Sequence, residues 1–440
     1  MRVALLVSLL ILAAILATRG VRVPTAASPL TSVKKPIDRS AQPSSNRFVG
    51  VGGCSAYACH GGIGPTKPEA GDVVSKGGEY VTWLAYDPHA NAGDVLKEPR
   101  SERIVRALGL EGPASSAKAC LGCHATGGET AGEVASAAVS CESCHGPARG
   151  WLASHTAPGR RAEALASGMV DTKDLRTRAS GCASCHVGDA TRQVNHDLIA
   201  AGHPRLAFVF EDFQARYPRH WQEPGTDATE TWALGQVATA QAALDLLATR
   251  SDAASEGRAP WPEFSEYGCF ACHHQYRDSG PEAPKGRPGE LPFGTWTYAT
   301  LPEALGTRPG DAATRSLETF RAVDAEMRRP VPDPVKVASG ARLTSKALGD
   351  WLALPNSGES RARLLLRTFL DPQRSAARRD WDGRAQDALA LAALKAAAPV
   401  DSGTGLDEAI REAYRRLQFP AGQDSPGALP AGTRDAAGHR

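Results

Sequence analysis

The sequence predicts a mainly α-helical protein in two parts, a loop-rich first part and a helical C-terminal region. Three observations lead to this prediction. The 440 residues include 44 glycines and 31 prolines, dense between residues 280 and 310, where they interrupt regular elements. All ten cysteines lie between residues 54 and 272. Apolar residues recur at helical spacing in longer segments, above all after residue 311.

The cysteines belong to a repeated motif. C-x-x-C-H occurs at 120–124, 141–145, 182–186 and 269–273, and a longer copy, C-S-A-Y-A-C-H, occupies 54–60. C-x-x-C-H is the attachment signature of c-type haem, in which two thiols add to the porphyrin vinyl groups and the histidine ligates the iron. Chance would give roughly 0.01 copies of it in such a chain. The predicted attachment residues are Cys54, Cys59, Cys120, Cys123, Cys141, Cys144, Cys182, Cys185, Cys269 and Cys272, and the predicted proximal ligands are His60, His124, His145, His186 and His273.

Two other uses of cysteine compete with haem attachment. Paired C-x-x-C units build structural zinc sites, and even cysteine counts build disulfide frameworks, but neither requires a histidine after the second cysteine every time. The first motif is weaker, because the four residues between Cys54 and Cys59 must bulge to bring both sulfurs to the vinyl groups. A disulfide or an empty site remains an alternative there. We expect four haems at the regular motifs and about five in all.

Charge excludes one class of partner. The formal charge is +2, and the propionates of five haems would move the haem-bound protein to about −8 near neutral pH. The sequence has no basic patch interleaved with aromatic residues, so nucleic-acid binding has no support. Redox partner proteins fit this charge, and a membrane quinol-oxidising or respiratory complex is a candidate among them.

The N-terminus resembles an export signal. Arg2 precedes an apolar run from Val3 to Ala17, which is short for a membrane-spanning helix. Residues 1–27 are therefore a signal peptide or an N-terminal anchor, and 28–48 a linker. Haem c is attached outside the bacterial cytoplasmic membrane, so we expect a protein of the periplasmic side, soluble or anchored to the inner membrane.

The remaining sequence divides by composition. We expect a multihaem domain at 49–278, a Pro/Gly-rich linker or wrapping loop at 279–310, a helical region at 311–418 and a disordered tail at 419–440. The helical region is either a small domain or a layer against the haem domain. The predicted elements are helices at 101–110, 160–167, 229–249, 311–327, 341–354, 360–370, 376–398 and 405–418, and a short strand at 205–213.

Histidines outside the motifs are concentrated in the haem region. Of the twelve histidines, His439 lies in the tail, and the six others that follow no cysteine are His89, His155, His196, His203, His220 and His274. Neutral imidazole is the usual sixth ligand for low-potential electron transfer. We expect about three to five of the six to be distal ligands, with His274 the exception because it directly follows a proximal histidine.

One family shares several of these motifs. C-E-S-C-H-G-P-A at 141–148, followed by His155, resembles the multihaem c-type cytochromes that include the tetrahaem electron acceptor of hydroxylamine oxidoreductase in nitrifying bacteria. C-L-G-C-H before it and C-A-S-C-H after it match the order in that family, and W-L-A-Y-D-P-H-A at 83–90 is similar to its early distal-histidine motif. The resemblance covers about residues 50 to 220 and leaves out the last motif and the helical region.

The resemblance implies a set of iron ligands. The family's second haem typically lacks a protein sixth ligand, and this property maps onto the haem of His124. The implied pairs are His89 with His145, His155 with His60, His203 or His196 with His186, and His220 or His196 with His273.

The expected function is electron transport through bis-histidine haems, because no further catalytic motif accompanies the haem sites. The alternative is an oxidoreductase that acts on a small nitrogen or sulfur species at a five-coordinate haem, for which His124 is the candidate. In a third interpretation, the C-terminal helices are a docking module for a larger complex.

Overall fold

A computed structural model describes residues 47–62, 77–128, 138–221, 227–273, 290–355, 361–377, 380–395, 397 and 403–418. The expected signal or anchor, nearly all of the first linker, His274 and the C-terminal tail lie outside these ranges. The chain divides into two units, 1–42 and 43–440, and every described residue belongs to the second.

The regular structure is helical. No β-strand occurs in the described ranges, where the one β-type pairing is an isolated bridge between Tyr267 and Phe293. The mainly α prediction is confirmed. The short strand expected at 205–213 is wrong. Residues 205–209 have no regular secondary structure, and a helix begins at Phe210. Within the described part of the chain, no helix has the length and apolar character needed to cross a membrane.

Short helices make up the first part of the described chain. They rarely exceed three turns because glycine, proline and the haem motifs interrupt them. Their bounds are α1 (Glu79–Tyr86), α2 (Pro99–Ala107), α3 (Lys118–His124), α4 (Cys141–His145), α5 (Leu152–His155), α6 (Arg161–Ala166), α7 (Leu175–His186), α8 (His196–Ala200) and α9 (Phe210–Arg216).

The second part contains the longer helices. Asp227 caps the 28-residue helix α10 by accepting a hydrogen bond from the Thr229 amide, and Asp333 caps α13 in the same way, with Pro334 at its first position. Their bounds are α10 (Ala228–Ser255), α11 (Leu301–Leu305), α12 (Asp311–Met327), α13 (Pro334–Leu352), α14 (Ala362–Leu370), α15 (Pro372–Ala377), α16 (Trp381–Lys395) and α17 (Gly403–Leu417).

Helix α10 lies at the centre of the main core. It packs against α7 and α9 from the haem region and against α11, α13 and α16 from the C-terminal region. Trp232, Leu244 and Leu247 of α10 are fully buried, as are Leu348 and Trp351 of α13. A single hydrophobic cluster therefore contains side chains from both regions.

The segment from 290 to 310 also enters this core. Phe293, Tyr298, Leu301 and Leu305 are buried in the same cluster. The Tyr267 hydroxyl donates a hydrogen bond to the Met327 carbonyl, 2.9 Å away, and so connects the last motif to α12. These contacts bring the C-terminal helices next to the haem motifs.

Candidate haem-binding site

Helical turns present the motif side chains. The three middle motifs end helices α3, α4 and α7, each of which terminates at the motif histidine. Residues at i, i+3 and i+4 of a helix share one face, so both sulfurs and the imidazole of a motif point to the same side. The last motif begins with a 3-10 turn at Cys269–Ala271.

The glycine of C-H-G-P has a backbone role. Gly146 follows α4 with φ of +81°, a conformation that favours glycine. A Cβ atom there would lie 2.7 Å from the Gly168 carbonyl oxygen. Gly146 therefore allows the chain to turn sharply after His145 and pack against residues 168–170.

Each motif histidine faces one histidine from outside the motifs. Ring centroids are 5.8 Å apart for His60 and His155, 5.9 Å for His186 and His89, 6.4 Å for His124 and His203, 6.4 Å for His145 and His220, and 6.3 Å for His273 and His196. Two imidazoles bound on opposite sides of one metal, with metal–nitrogen distances of about 2.0–2.1 Å, have centroids about 6 Å apart. The spacing of these five histidine pairs is therefore compatible with one haem iron between the two rings of each pair.

The observed pairs differ from several that the family resemblance implies. His155 faces His60 as implied, and His196 faces His273, one of two implied alternatives. His89, however, faces His186 and not His145. His220 faces His145, a pairing that the sequence did not suggest.

The resemblance implies no sixth ligand for the haem of His124, but the His203 ring lies opposite that of His124. Contacts distant in sequence explain this placement. Arg100 of α2 donates hydrogen bonds of 2.9 and 2.6 Å to the Gly202 carbonyl and holds the neighbouring histidine near the second motif. Helix α9 lies between His203 and His220 along the chain, and His220 lies next to His145 of the third motif.

Acceptors on the outer ring nitrogen orient four of these histidines. The Nδ1 atoms of His60 and His89 lie 3.0 Å from Glu79 Oε2 and 2.8 Å from Asp87 Oδ1. For His124 and His203 the acceptors are the carbonyl oxygens of Ala92, at 2.8 Å, and Pro204, at 2.7 Å. Carboxylates and carbonyls only accept, so Nδ1 is the donor and a neutral ring leaves Nε2 free for a metal.

Asp87 is the most buried of these acceptors. Its carboxyl is about 1% exposed and also accepts hydrogen bonds from the His89 amide, at 3.0 Å, and from the Tyr217 hydroxyl, at 2.5 Å. Burial raises the pKa of Asp87, but the bonds from His89 and Tyr217 outweigh it and leave the pKa below its usual value. The same bond to Asp87 raises the pKa of His89.

Three other histidines, His145, His186 and His220, are half-buried. Burial lowers the pKa of His145 and of His186 to about 4, which keeps both rings neutral as metal ligands must be. Phe208 stacks on His186 with ring centroids 5.0 Å apart. His220 Nδ1 is buried with no hydrogen-bond partner among the described residues.

Cysteines of different motifs meet. The Cys54 side chain lies close enough to Cys141 for the two thiols to interact, and Cys123 lies equally close to Cys185. The first motif therefore meets the third, and the second meets the fourth.

The residues that hold these histidines in place were not predicted from the sequence. Asp87 could have been suspected, because a carboxylate two residues before a ligand histidine can cap the turn and reach its ring. Glu79 and Tyr217 gave no such signal, since each reaches its partner only through the fold.

Comparison with known proteins gives one match. No curated protein and no solved structure matches the chain significantly. The family described as cytochrome c554 and c-prime matches residues 75–146, a segment that contains Asp87, His89 and the second and third motifs. This similarity supports assigning the chain to the c-type cytochromes, with covalently bound haem and a role in electron transport.

Proposed function

We propose that the protein is a multihaem c-type cytochrome that carries electrons through five haems, each with two histidine ligands, on the periplasmic side of a bacterial cell. One observation carries the proposal: every motif histidine has a facing histidine at a ring-centroid distance of 5.8 to 6.4 Å. Such spacing suits two imidazoles that share an iron.

The haem, when bound, supplies a one-electron iron couple. The chain holds it through two sulfurs and keeps the ligand imidazoles neutral and oriented. Glu79 and Asp87 orient His60 and His89, and burial keeps His145 and His186 uncharged. Two fixed imidazoles favour low-spin iron with little reorganisation, which suits electron transfer.

Contacts between motifs support transfer along the array. Cys54 lies next to Cys141 and Cys123 next to Cys185, and Cys182 lies close enough to Cys144 to add to the rise that burial causes in the pKa of Cys144. The first, third, fourth and second motifs therefore form a connected series in space. Electrons entering from one redox partner protein would leave to another along this series.

The oxidoreductase alternative requires an open iron position. His124 was its candidate, and the presence of His203 opposite that residue favours the carrier.

Two measurements on the purified protein test the proposal. Intact mass counts the haems, with five expected. The electron paramagnetic resonance spectrum of the oxidised protein should be entirely low-spin and unchanged by cyanide or nitric oxide. A high-spin signal that nitrite or hydroxylamine removes, accompanied by turnover, would contradict the carrier.

A variant sharpens this test. His203→Ala should convert one haem, that of His124, to high-spin iron, whereas His439→Ala in the tail should leave all haems low-spin. An unchanged spectrum for His203→Ala would contradict the pairing of His203 with His124.

A further inference from the structure

A cavity of about 110 Å³ lies between two haem motifs, and its lining includes His186 of the fourth motif and Cys269 of the fifth. The opposite wall belongs to the C-terminal half of the chain and includes Trp296 and Asp382.

Arg205 connects the fifth motif to that wall. Its Nη1 atom lies 3.6 Å from Cys269 Sγ, and its guanidinium forms an ion pair with Asp382 through contacts of 2.5 and 3.2 Å. The guanidinium carbon lies 5.2 Å from the ring centroid of Trp296 and 5.9 Å from that of Trp381, whose planes are within 18° of parallel. The cation thus lies beside a stacked pair of tryptophan rings, within cation–π distance of both.

Burial and a hydrogen bond hold Asp382 in place. Its side chain is 3% exposed, and the Thr295 hydroxyl donates a hydrogen bond to it at 2.6 Å. Asp382 lies in α16, which contains no cysteine or histidine. The ion pair is partly buried, with Arg205 25% exposed, so its charges are less screened than those of a surface pair, and it connects the Cys269 motif to a helix without cysteine.

We infer that the C-terminal region completes the fifth haem site, and that Arg205 and Asp382 act as an opposed pair of charges that sets the reduction potential of the haem attached at Cys269. The inference rests on the proposed function, which supplies that haem. The C-terminal helices are then part of a redox site and not a separate docking module.

The two charges should act in opposite directions. Reduction adds one electron to the haem, so a nearby cation favours the reduced form and a nearby carboxylate opposes it. At a separation of about 10 Å and an effective dielectric constant of about 20, one charge changes the reduction equilibrium roughly tenfold, which is 59 mV for one electron. Arg205→Gln should lower the potential of this haem, and Asp382→Asn should raise it.

Redox titration of the full-length, haem-loaded protein tests the inference. The haem concerned is identified as the midpoint missing from a Cys269→Ser/Cys272→Ser variant. Arg205→Lys keeps the charge and should retain the wild-type midpoint. If Arg205→Gln does not fold, the other two variants still test the inference. Asp382→Asn should raise the midpoint of this haem, and Arg205→Lys should leave it unchanged.

A second buried pair provides the matched control. Arg374 pairs with Asp387 at 2.8 Å and also with Glu303, and it lies 4.6 Å from the Phe369 ring centroid. Like Arg205 it combines an ion pair with an aromatic contact, but in the described part of the chain it contacts no motif residue. Arg374→Gln and Asp387→Asn should shift no midpoint.

The outcomes separate the two proposals. A wild-type mass with four haems and none at Cys269 overturns the five-haem function and this inference together. Five haems, with midpoints that Arg205→Gln and Asp382→Asn do not move in opposite directions, overturn the inference alone.

Discussion

Asp87 illustrates how a single carboxylate connects parts of the chain that are far apart in sequence. It accepts hydrogen bonds from His89 Nδ1 and from the hydroxyl of Tyr217, 130 positions away. A carboxylate on the outer nitrogen makes an imidazole a stronger electron donor to a metal. If His89 and His186 share a haem iron, as proposed, Asp87 therefore stabilises the oxidised form of that haem.

Replacing Asp87 by asparagine should raise the potential of that haem. The neutral amide accepts a weaker hydrogen bond, so we expect an increase of roughly 60 mV, a tenfold change in equilibrium constant, by redox titration. Tyr217→Phe leaves Asp87 with His89 as its side-chain donor and should lower the same midpoint.

Glu79→Gln is the control for this prediction, because Glu79 contacts His60 and should affect a different haem. The haem of His186 is recognised as the midpoint lost from a Cys182→Ser/Cys185→Ser variant. A shift at the haem of His145 instead would support the pairing that the family resemblance implies.

Helix α10 is the element on which the other helices assemble. Sequence periodicity predicted a helix at 229–249, and the observed helix extends from Ala228 to Ser255 with buried residues on every side. The sequence at 311–327 matched α12 at both ends. Helix α13 begins at Pro334, seven residues before the predicted start at 341. Asp333 caps the helix there, and proline is favoured at a first helical position.

Gly235 permits the closest approach of α9 to α10. A Cβ atom at this position would lie 2.8 Å from Phe210 Cβ and 2.9 Å from its ring. Gly235→Ala should therefore destabilise the protein by about 1–3 kcal/mol through overpacking, despite the better helix propensity of alanine. Denaturant unfolding followed by circular dichroism measures the change.

Gly405 offers a matched comparison. It lies in α17, where a Cβ atom meets nothing within 4 Å, so Gly405→Ala should be neutral or stabilising by up to about 1 kcal/mol. Equal effects of the two substitutions would show that Phe210 moves aside at no cost.

At the scale of the whole molecule, the haem region and the C-terminal helices share one core. Trp351 of α13 is fully buried, and its indole nitrogen donates hydrogen bonds to the carbonyls of Leu305 and Arg308, at 3.2 and 3.1 Å. Arg308 stacks over the same ring at 4.8 Å. A substitution that removes packing at Trp351 should therefore destabilise both regions.

Trp351→Ala should destabilise the protein by about 3–5 kcal/mol, because it leaves a cavity in the shared core. Haem absorbance and far-ultraviolet circular dichroism should move together to lower denaturant concentration. Leu343→Ala, at a position of the same helix that is 58% exposed, should have little effect. Separate transitions for the two signals would indicate independent domains.

The sequence alone determined the chemistry of attachment and the helical character. Cys-x-x-Cys-His fixes two sulfurs and one imidazole through local covalent geometry, and periodicity fixes helices such as 311–327, because both depend on neighbouring residues. The choice of facing histidine depended on the tertiary structure. His203 reaches His124 through the contact of Arg100 with Gly202, and Asp382 reaches Cys269 through Arg205. Such contacts join residues between 64 and 177 positions apart, and the packing of the whole chain decides them.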